Sequence, residues 1–242
     1  MNIGRGVWAL VRVGTALLIV AAVLAQARVT ISGAADAGRD MATTVVNFFS
    51  FFTILSNAAS VVVLAWAGAW LWRTREAAEA REPRTMASAL ASVTAYMLVT
   101  GVVYNTLLRG IELPQGTTVL WANEVLHVVG PLVLLLDLLL APGRRGMRWS
   151  AVGAVLLFPI VWVVYTLVRG PWVTNPVTGA SSWYPYPFLD PGNPALQPGG
   201  YAGVALYVVG IALLIGGVAA AVVAVGRRRA VGGDVDRAVT AG

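Results

Sequence analysis

The sequence predicts an all-α, polytopic membrane bundle of six transmembrane helices with both termini in the cytoplasm. Of its 242 residues, 58% are hydrophobic and 12% are charged, and the mean hydropathy is +0.75. Soluble domains of this length are less apolar. Apolar segments about long enough to cross a bilayer lie at about 7–27, 45–72, 86–108, 119–141, 149–168 and 201–225. Residues 1–229 are therefore expected to form a transmembrane domain, and 230–242 a disordered cytoplasmic tail.

The placement of arginine predicts the orientation of these segments. All 17 basic residues are arginine. If the segments alternate in direction, thirteen arginines fall at one end of the bundle, namely Arg5, Arg12, Arg73, Arg75, Arg81, Arg84, Arg144, Arg145, Arg148, Arg227, Arg228, Arg229 and Arg237. The other end holds four: Arg28, Arg39, Arg109 and Arg169. Because short cytoplasmic segments are enriched in basic residues, the thirteen-arginine end is predicted to face the cytoplasm.

The residue types present narrow the possible chemistry. The chain has no cysteine and no lysine, and His127 is its only histidine. Thiolate nucleophiles, disulfides, Schiff-base lysines and bis-histidine haem are excluded, and no metal or other cofactor is expected. The net charge of +6 is explained by topology, so no nucleic-acid partner is expected. Oxygen chemistry with one imidazole remains.

The first apolar segment and the charged connector 73–84 each need a separate interpretation. Arg5 and Arg12 precede an apolar run that ends at Ala27, which predicts a retained first span, but Ala25-Gln26-Ala27 also resembles a signal-peptidase site. The orientation of the later segments is the same in both cases. The charged connector 73–84 is predicted to be a short surface helix that ends before Pro83.

Polar residues on the second segment form a stripe. Ser50, Thr53, Asn57 and Ser60 recur at spacings of three, four and three residues, which places them within about 80° on one helix face. Small hydroxyl residues at such spacing allow close helix packing, and this is the alternative to a role in chemistry.

A second polar stripe lies on the fourth segment. Asn123, His127, Gly130 and Asp137 fall within roughly 80° of one another on a helix that turns about 100° per residue. Ionisable residues at membrane depth usually face a bundle interior or a wet cavity, which makes this segment a candidate site. The alternative is hydrogen bonding between helices without chemistry. Glu124 could orient the imidazole or line the outer mouth, whereas Asp137 is expected to be structural.

The ends of the third and fifth segments repeat each other. The third ends in Val-Val-Tyr104-Asn105-Thr-Leu-Leu-Arg109-Gly and the fifth in Val-Val-Tyr165-Thr-Leu-Val-Arg169-Gly. The two arginines could hold an anionic substrate head group, or they could snorkel to the interface. After the fifth segment, the loop 170–200 holds seven prolines and the run Trp183-Tyr-Pro-Tyr-Pro-Phe188. This loop is predicted either to cap the bundle or to form an interfacial aromatic belt.

The predicted topology puts Thr53 and His127 at one depth. The second and fourth segments both start at the outer surface, and each residue lies about eight residues in, or roughly 12 Å down a helix. A hydroxyl and an imidazole at equal depth could form a nucleophile–base pair that attacks an ester carbonyl. Ser50, one turn shallower, is an alternative nucleophile.

These residues carry a resemblance to a known family. Phe-Phe-Thr53-Ile-Leu-Ser-Asn57, together with Trp121-x-Asn123-x-x-x-His127-x-x-x-Pro131, resembles the androgen-induced and androgen-dependent family of integral membrane hydrolases. The likeness extends over segments two to five and includes Tyr104-Asn105 and the Trp-Tyr-Pro loop. One departure is Glu124, where the animal proteins have histidine.

The resemblance implies a multi-pass threonine hydrolase of the plasma membrane. It would cleave fatty acid esters of hydroxy fatty acids, or similar lipid esters, with a threonine and a histidine that match Thr53 and His127. Residues expected to bind substrate or to support the pair are Ser50, Asn57, Tyr104, Asn105, Arg109, Asn123, Glu124, Tyr165 and Arg169. The alternative function is a non-enzymatic membrane protein that binds a lipid or scaffolds a partner through the same polar cavity.

Overall fold

The computed structural model describes residues 3–77, 79–111 and 118–240, with the backbone alone for Ile3 and 231–240. Its α-helices are α1 (Ile3–Asp36), α2 (Met41–Phe48), α3 (Phe52–Arg73), α4 (Arg84–Val103), α5 (Leu120–Glu124), α6 (Gly130–Leu140), α7 (Ala151–Arg169) and α8 (Gly200–Thr240). Two π-helical turns, Tyr104–Leu108 and Val125–Val129, extend α4 and join α5 to α6. Short 3₁₀ turns occupy Gly170–Trp172 and Pro187–Leu189.

Six helices within the described residues are long and apolar enough to cross a membrane. They confirm the predicted all-α bundle of six spans. The described residues contain no strand. Helix α1 lies along α3, α3 packs against α4, and α4 packs against α6 and α8, while α7 lies against α8. The chain is therefore a multi-pass membrane protein whose apolar surfaces face a lipid bilayer.

The predicted second span is not one continuous helix. Helix α2 begins after Asp40, whose Oδ1 accepts a hydrogen bond from the backbone N–H of Thr43 at 2.7 Å, and it ends at Phe48. The Ser50 hydroxyl bonds back to the carbonyl of Val46, and α3 then starts at Phe52. Side-chain bonds of this kind compete with the helical ladder. The break removes Ser50 from the predicted polar stripe and places Thr53 in the first turn of α3.

The cytoplasmic loops predicted from the sequence meet at one end of the bundle, which we call the basic end. Its parts are the start of α1, residues 74–83, residues 141–150 and the α8 segment around 227–229. Arg5 donates to the carbonyl of Ala80 at 3.1 Å, and Arg227 donates to that of Met147 at 2.8 Å. Gly143 has a φ of 79°, which allows its carbonyl to accept from Glu82 N–H at 2.9 Å.

The predicted surface helix at 73–84 is wrong. The described residues between Thr74 and Pro83 form turns and irregular backbone. The reason is tertiary: Glu82 is fully buried, and Arg145 donates to its carbonyl at 2.5 Å. The connector is therefore folded onto the basic end: it keeps only isolated turns, with Ala77 N–H bonded to Thr74 and Ala80 N–H to Ala77, and Glu82 N–H bonds to the neighbouring loop at Gly143.

Buried ion pairs cross-link the basic end. The Arg12 guanidinium contacts both carboxylate oxygens of Asp137, at 2.8 and 3.2 Å, and Oε1 of Glu82 at 3.3 Å. Arg144 also pairs with Asp137 and Glu82. Arg12, Asp137 and Glu82 are each 0% exposed. Two arginines thus neutralise two acids and connect α1, α6 and the loops 74–83 and 141–150. Asp137, which the sequence predicts to be structural, pairs with both arginines.

The last helix is longer than the sequence predicts. The predicted sixth span ends at about 225 and the tail 230–242 is predicted to be disordered, whereas α8 continues to Thr240. Arg227 and Arg229 hold the helix to the basic end as far as Arg229, because they donate to the carbonyls of Met147 and Leu138. Ala241 and Gly242 lie outside the described residues.

We expect the basic end to face the cytoplasm, because arginine-rich short loops are retained there. An alkaline phosphatase fused after Gly242, which is active only outside the cytoplasm, should therefore be inactive, and a fluorescent protein that matures in the cytoplasm should be bright. High phosphatase activity of the fusion would contradict the predicted orientation.

Candidate functional site

Thr53 and His127 lie next to each other, as the sequence predicts. Thr53 Oγ1 is 3.3 Å from His127 Nε2. The threonine is in the first turn of α3 and the histidine is in the π-helical turn between α5 and α6. His127 is buried and Thr53 is partly buried. The hydroxyl and the imidazole are thus within reach of direct proton transfer.

The π-helical turn determines which ring nitrogen faces the threonine. His127 Nδ1 is 2.9 Å from the backbone carbonyl of Asn123. A carbonyl can only accept, so Nδ1 carries the proton and the Nε2 lone pair is free to accept from Thr53. The Tyr104 ring stacks on the imidazole with centroids 3.9 Å apart, and its hydroxyl accepts from Asn123 Nδ2. These contacts hold the imidazole in the geometry of a base.

The side chain of Asn57 and the absence of one at Gly101 position the backbone around the pair. Asn57 Nδ2 donates to the carbonyl of Thr53 at 2.9 Å and to that of Leu126 at 3.3 Å, which ties α3 to the π-helical turn. Gly101 allows α4 to approach closely, since a Cβ there would lie 3.1 Å from the His127 carbonyl oxygen. The packing of three elements thus determines the Thr53–His127 distance.

An ion pair lies at the outer side of this cluster. Arg109 makes two hydrogen bonds to the Glu124 carboxylate, at 2.9 and 3.1 Å, and Arg109 Nε donates to Asn105 Oδ1 at 2.8 Å. Asn105 Nδ2 donates to Gly101. The hydrogen bond to Glu124 raises the pKa of Arg109 above its ordinary value. Both charged side chains are nearly half exposed. Arg109 is therefore paired with an acid, and Glu124 does not contact the imidazole directly.

Three predicted site residues lie in a separate cluster. Ser50 Oγ is 3.0 Å from the Tyr165 hydroxyl, and Arg169 donates to Asn47 Oδ1 at 2.7 Å and to Ser50 Oγ at 3.4 Å. Arg169 also lies over the Trp183 ring. Since α2 and α3 are separate helices, this cluster faces α7 and the outer loop and has no hydrogen bond to His127. Ser50 has no base beside it.

Tyr186 is the site residue that the sequence analysis did not single out. Its hydroxyl is 3.2 Å from Thr53 Oγ1 and accepts from Thr53 N–H, also at 3.2 Å. It belongs to the Trp183–Phe188 run, whose aromatic side chains are buried in the core and do not form an exposed belt. A tyrosine within an aromatic run that folds into the core needs a hydrogen-bond partner for its hydroxyl. This need was the one feature of the sequence that could have pointed to Tyr186 as a partner of the polar site.

Cavities lie on both sides of Thr53 and Tyr186. The larger, about 120 Å³, is lined mainly by apolar residues of α3, α4, α7, α8 and the outer loop. Two of its lining residues, Ile160 and Ala212, are exposed at the bundle surface. The smaller, about 40 Å³, is lined in part by the polar residues Gln26, Thr118, Asn123 and His127. Thr53 and Tyr186 line both, so they stand between an apolar and a more polar compartment.

The fold and this arrangement define a class: a six-span membrane protein with a contact between a partly buried threonine and a buried histidine. In comparisons with known proteins, no family model matches the chain, and no curated protein or solved structure matches it either. The resemblance to the androgen-induced and androgen-dependent family therefore stays a prediction.

Proposed function

We propose that this protein is an intramembrane threonine hydrolase that cleaves a lipid ester, with Thr53 as nucleophile and His127 as general base. The observation that supports this most directly is the 3.3 Å contact between Thr53 Oγ1 and His127 Nε2. A threonine hydroxyl is a weak nucleophile unless a base accepts its proton. The Asn123 carbonyl leaves Nε2 as the acceptor, which is the tautomer that this reaction requires.

The first half of the reaction forms an acyl-enzyme. Thr53 Oγ attacks the ester carbonyl carbon while His127 Nε2 takes the hydroxyl proton. The tetrahedral intermediate then collapses: the bond to the alcohol oxygen breaks, and His127 returns the proton to that oxygen. The products are the free alcohol and Thr53 esterified with the acyl group.

Water completes the reaction. His127 Nε2 accepts a proton from a water molecule, whose oxygen attacks the acyl carbon, and the proton then passes to Thr53 Oγ as the fatty acid leaves. The smaller cavity is wide enough for a water molecule, and His127 and Asn123 line it. It is the route by which we expect water to reach the pair.

The two compartments suggest how substrate is held. The larger cavity is apolar and two of its lining residues, Ile160 and Ala212, are exposed on the lipid-facing surface, so the acyl chain would enter from the bilayer on that side. The substrate class is then a long-chain acyl ester, such as a fatty acid ester of a hydroxy fatty acid. The plasma membrane is the proposed location, since the protein is multi-pass with an arginine-rich end.

The test is labelling and turnover by purified wild-type protein in detergent. We expect a long-chain fluorophosphonate to label it covalently on Thr53, and a panel of long-chain esters to contain one that is cleaved. Mass spectrometry identifies the labelled residue. If no ester is cleaved and no residue is labelled, the proposal is overturned in favour of the alternative, a lipid-binding protein that uses the same cavity.

A side chain that narrows the larger cavity should change acyl-chain preference. Val163 on α7 lines the cavity, and Val163→Phe would occupy part of it. We expect kcat/KM for a palmitoyl ester to fall by about tenfold or more, with little change for a butyryl ester. Val164→Phe is the matched control, because Val164 is 55% exposed on the same helix and does not line the cavity. Equal losses for both esters would contradict this placement of the acyl chain.

A further inference from the structure

The hydrolysis proposed above needs a group that stabilises the oxyanion, and the first turn of α3 offers one donor. Helix α3 begins at Phe52, and the first helical hydrogen bond is made by Leu55 N–H to the carbonyl of Phe51. The N–H of Thr53 precedes that bond, so it has no partner within the helix. It points instead at the Tyr186 oxygen, 3.2 Å away. The positive end of the α3 dipole lies at the same place.

Tyr186 offers the second donor. Its oxygen accepts from Thr53 N–H, so its own proton is free to point at Thr53 Oγ1, 3.2 Å away. Burial raises the pKa of the Tyr186 phenol, against the opposing effect of its hydrogen bonds to Thr53. The hydroxyl is therefore protonated at neutral pH and remains a donor.

Packing keeps this hydroxyl in place. The Tyr186 ring stacks on Phe188 at 5.2 Å with an interplanar angle of 7°, and it meets Phe51 edge-on at 5.6 Å. Only 5% of the residue is exposed. Because the ring is fixed, the phenol oxygen stays beside Thr53 and only its proton has to reorient when charge develops, which favours oxyanion stabilisation.

We propose that the Tyr186 hydroxyl and the Thr53 backbone N–H together form the oxyanion hole of this enzyme. This inference rests on the proposed function. In the tetrahedral intermediate the carbonyl oxygen and Thr53 Oγ are bonded to one carbon, so the oxyanion lies beside Oγ, within reach of both donors. As Oγ bonds to the carbonyl carbon and its proton moves to His127, the carbonyl π electrons move to oxygen. That oxygen then replaces the Tyr186 oxygen as acceptor for Thr53 N–H, and the Tyr186 hydroxyl proton rotates from Oγ to it.

The outer loop is then part of the catalytic machinery. Tyr186 would be a catalytic residue supplied by the segment between α7 and α8, and Thr53 would act through both its side chain and its backbone. Deleting the loop would expose core aromatics, so single-atom changes are the informative ones. Tyr186→Phe removes the hydroxyl and keeps the ring.

We expect Tyr186→Phe to lower kcat by about 10²–10³-fold, the usual cost of losing one oxyanion donor. KM should stay close to wild type, because the lost interaction is made only in the transition state. The matched control is Tyr184→Phe: Tyr184 is equally buried in the same loop, but its hydroxyl faces Tyr201 and not Thr53. That variant should keep wild-type kcat.

Inhibitor binding separates catalysis from folding. A long-chain trifluoromethyl ketone, which forms a tetrahedral adduct with Thr53, should bind Tyr186→Phe at least about 10²-fold more weakly. An ether analogue of the same chain length should bind equally well. If kcat is unchanged in Tyr186→Phe, or both ligands weaken alike, the oxyanion role is overturned while the hydrolase proposal stands. If the wild type cleaves no ester and no residue is labelled, both are overturned.

Discussion

Thr53→Ala and His127→Ala should each abolish ester cleavage, and the double variant should be no worse than either single one. Without the hydroxyl there is no nucleophile at the wall of the apolar cavity, and without Nε2 nothing accepts its proton. We expect each loss to be at least about 10³-fold in kcat. Residues that act as a unit show such non-additivity. The measurement is initial-rate hydrolysis by detergent-purified protein that remains monodisperse.

Two control variants sharpen this prediction. Ser50→Ala removes a buried hydroxyl that contacts Tyr165 and has no hydrogen bond to His127, so labelling and turnover should persist. Thr53→Ser keeps the nucleophilic oxygen and should retain part of the activity. If labelling persists in Thr53→Ala and vanishes in Ser50→Ala, the nucleophile is Ser50.

Asp137→Ala should cause the largest loss of stability among single substitutions at the basic end. It leaves Arg12, which is fully buried, without its bidentate partner, and Arg144 without its closer one. Removing one side of a buried ion pair costs about 3–5 kcal/mol. Thermal unfolding followed by tryptophan fluorescence in detergent should show a clearly lower midpoint and a lower yield of folded protein.

An exposed ion pair provides the control for that measurement. Arg75 and Glu76 are 3.9 Å apart, and the Glu76 side chain is 78% exposed, so Glu76→Ala should change stability by less than about 1 kcal/mol. The double variant Arg12→Met with Asp137→Leu should recover part of the loss, because it removes both charges of the Arg12–Asp137 pair and leaves Arg144 to pair with Glu82. A double variant less stable than Asp137→Ala would contradict this account.

The sequence alone was sufficient for the class of the protein and for the pair at its site. Hydropathy predicts six spans because each helix must cover about the thickness of a bilayer with apolar side chains. The proximity of Thr53 and His127 follows from two inward stripes on spans that start at the same surface. Neither argument needs the packing of particular side chains.

Tertiary structure alone decided three other features. The break at Phe49–Phe51 separates Ser50 from Thr53, Tyr186 reaches Thr53 from 133 residues away, and Arg12 pairs with Asp137 over 125 residues. Helical periodicity reports only which residues share a face of one helix. Contacts between distant segments depend instead on where loops fold back and on which buried polar groups find partners, because an unpaired polar or charged group in an apolar bundle is costly.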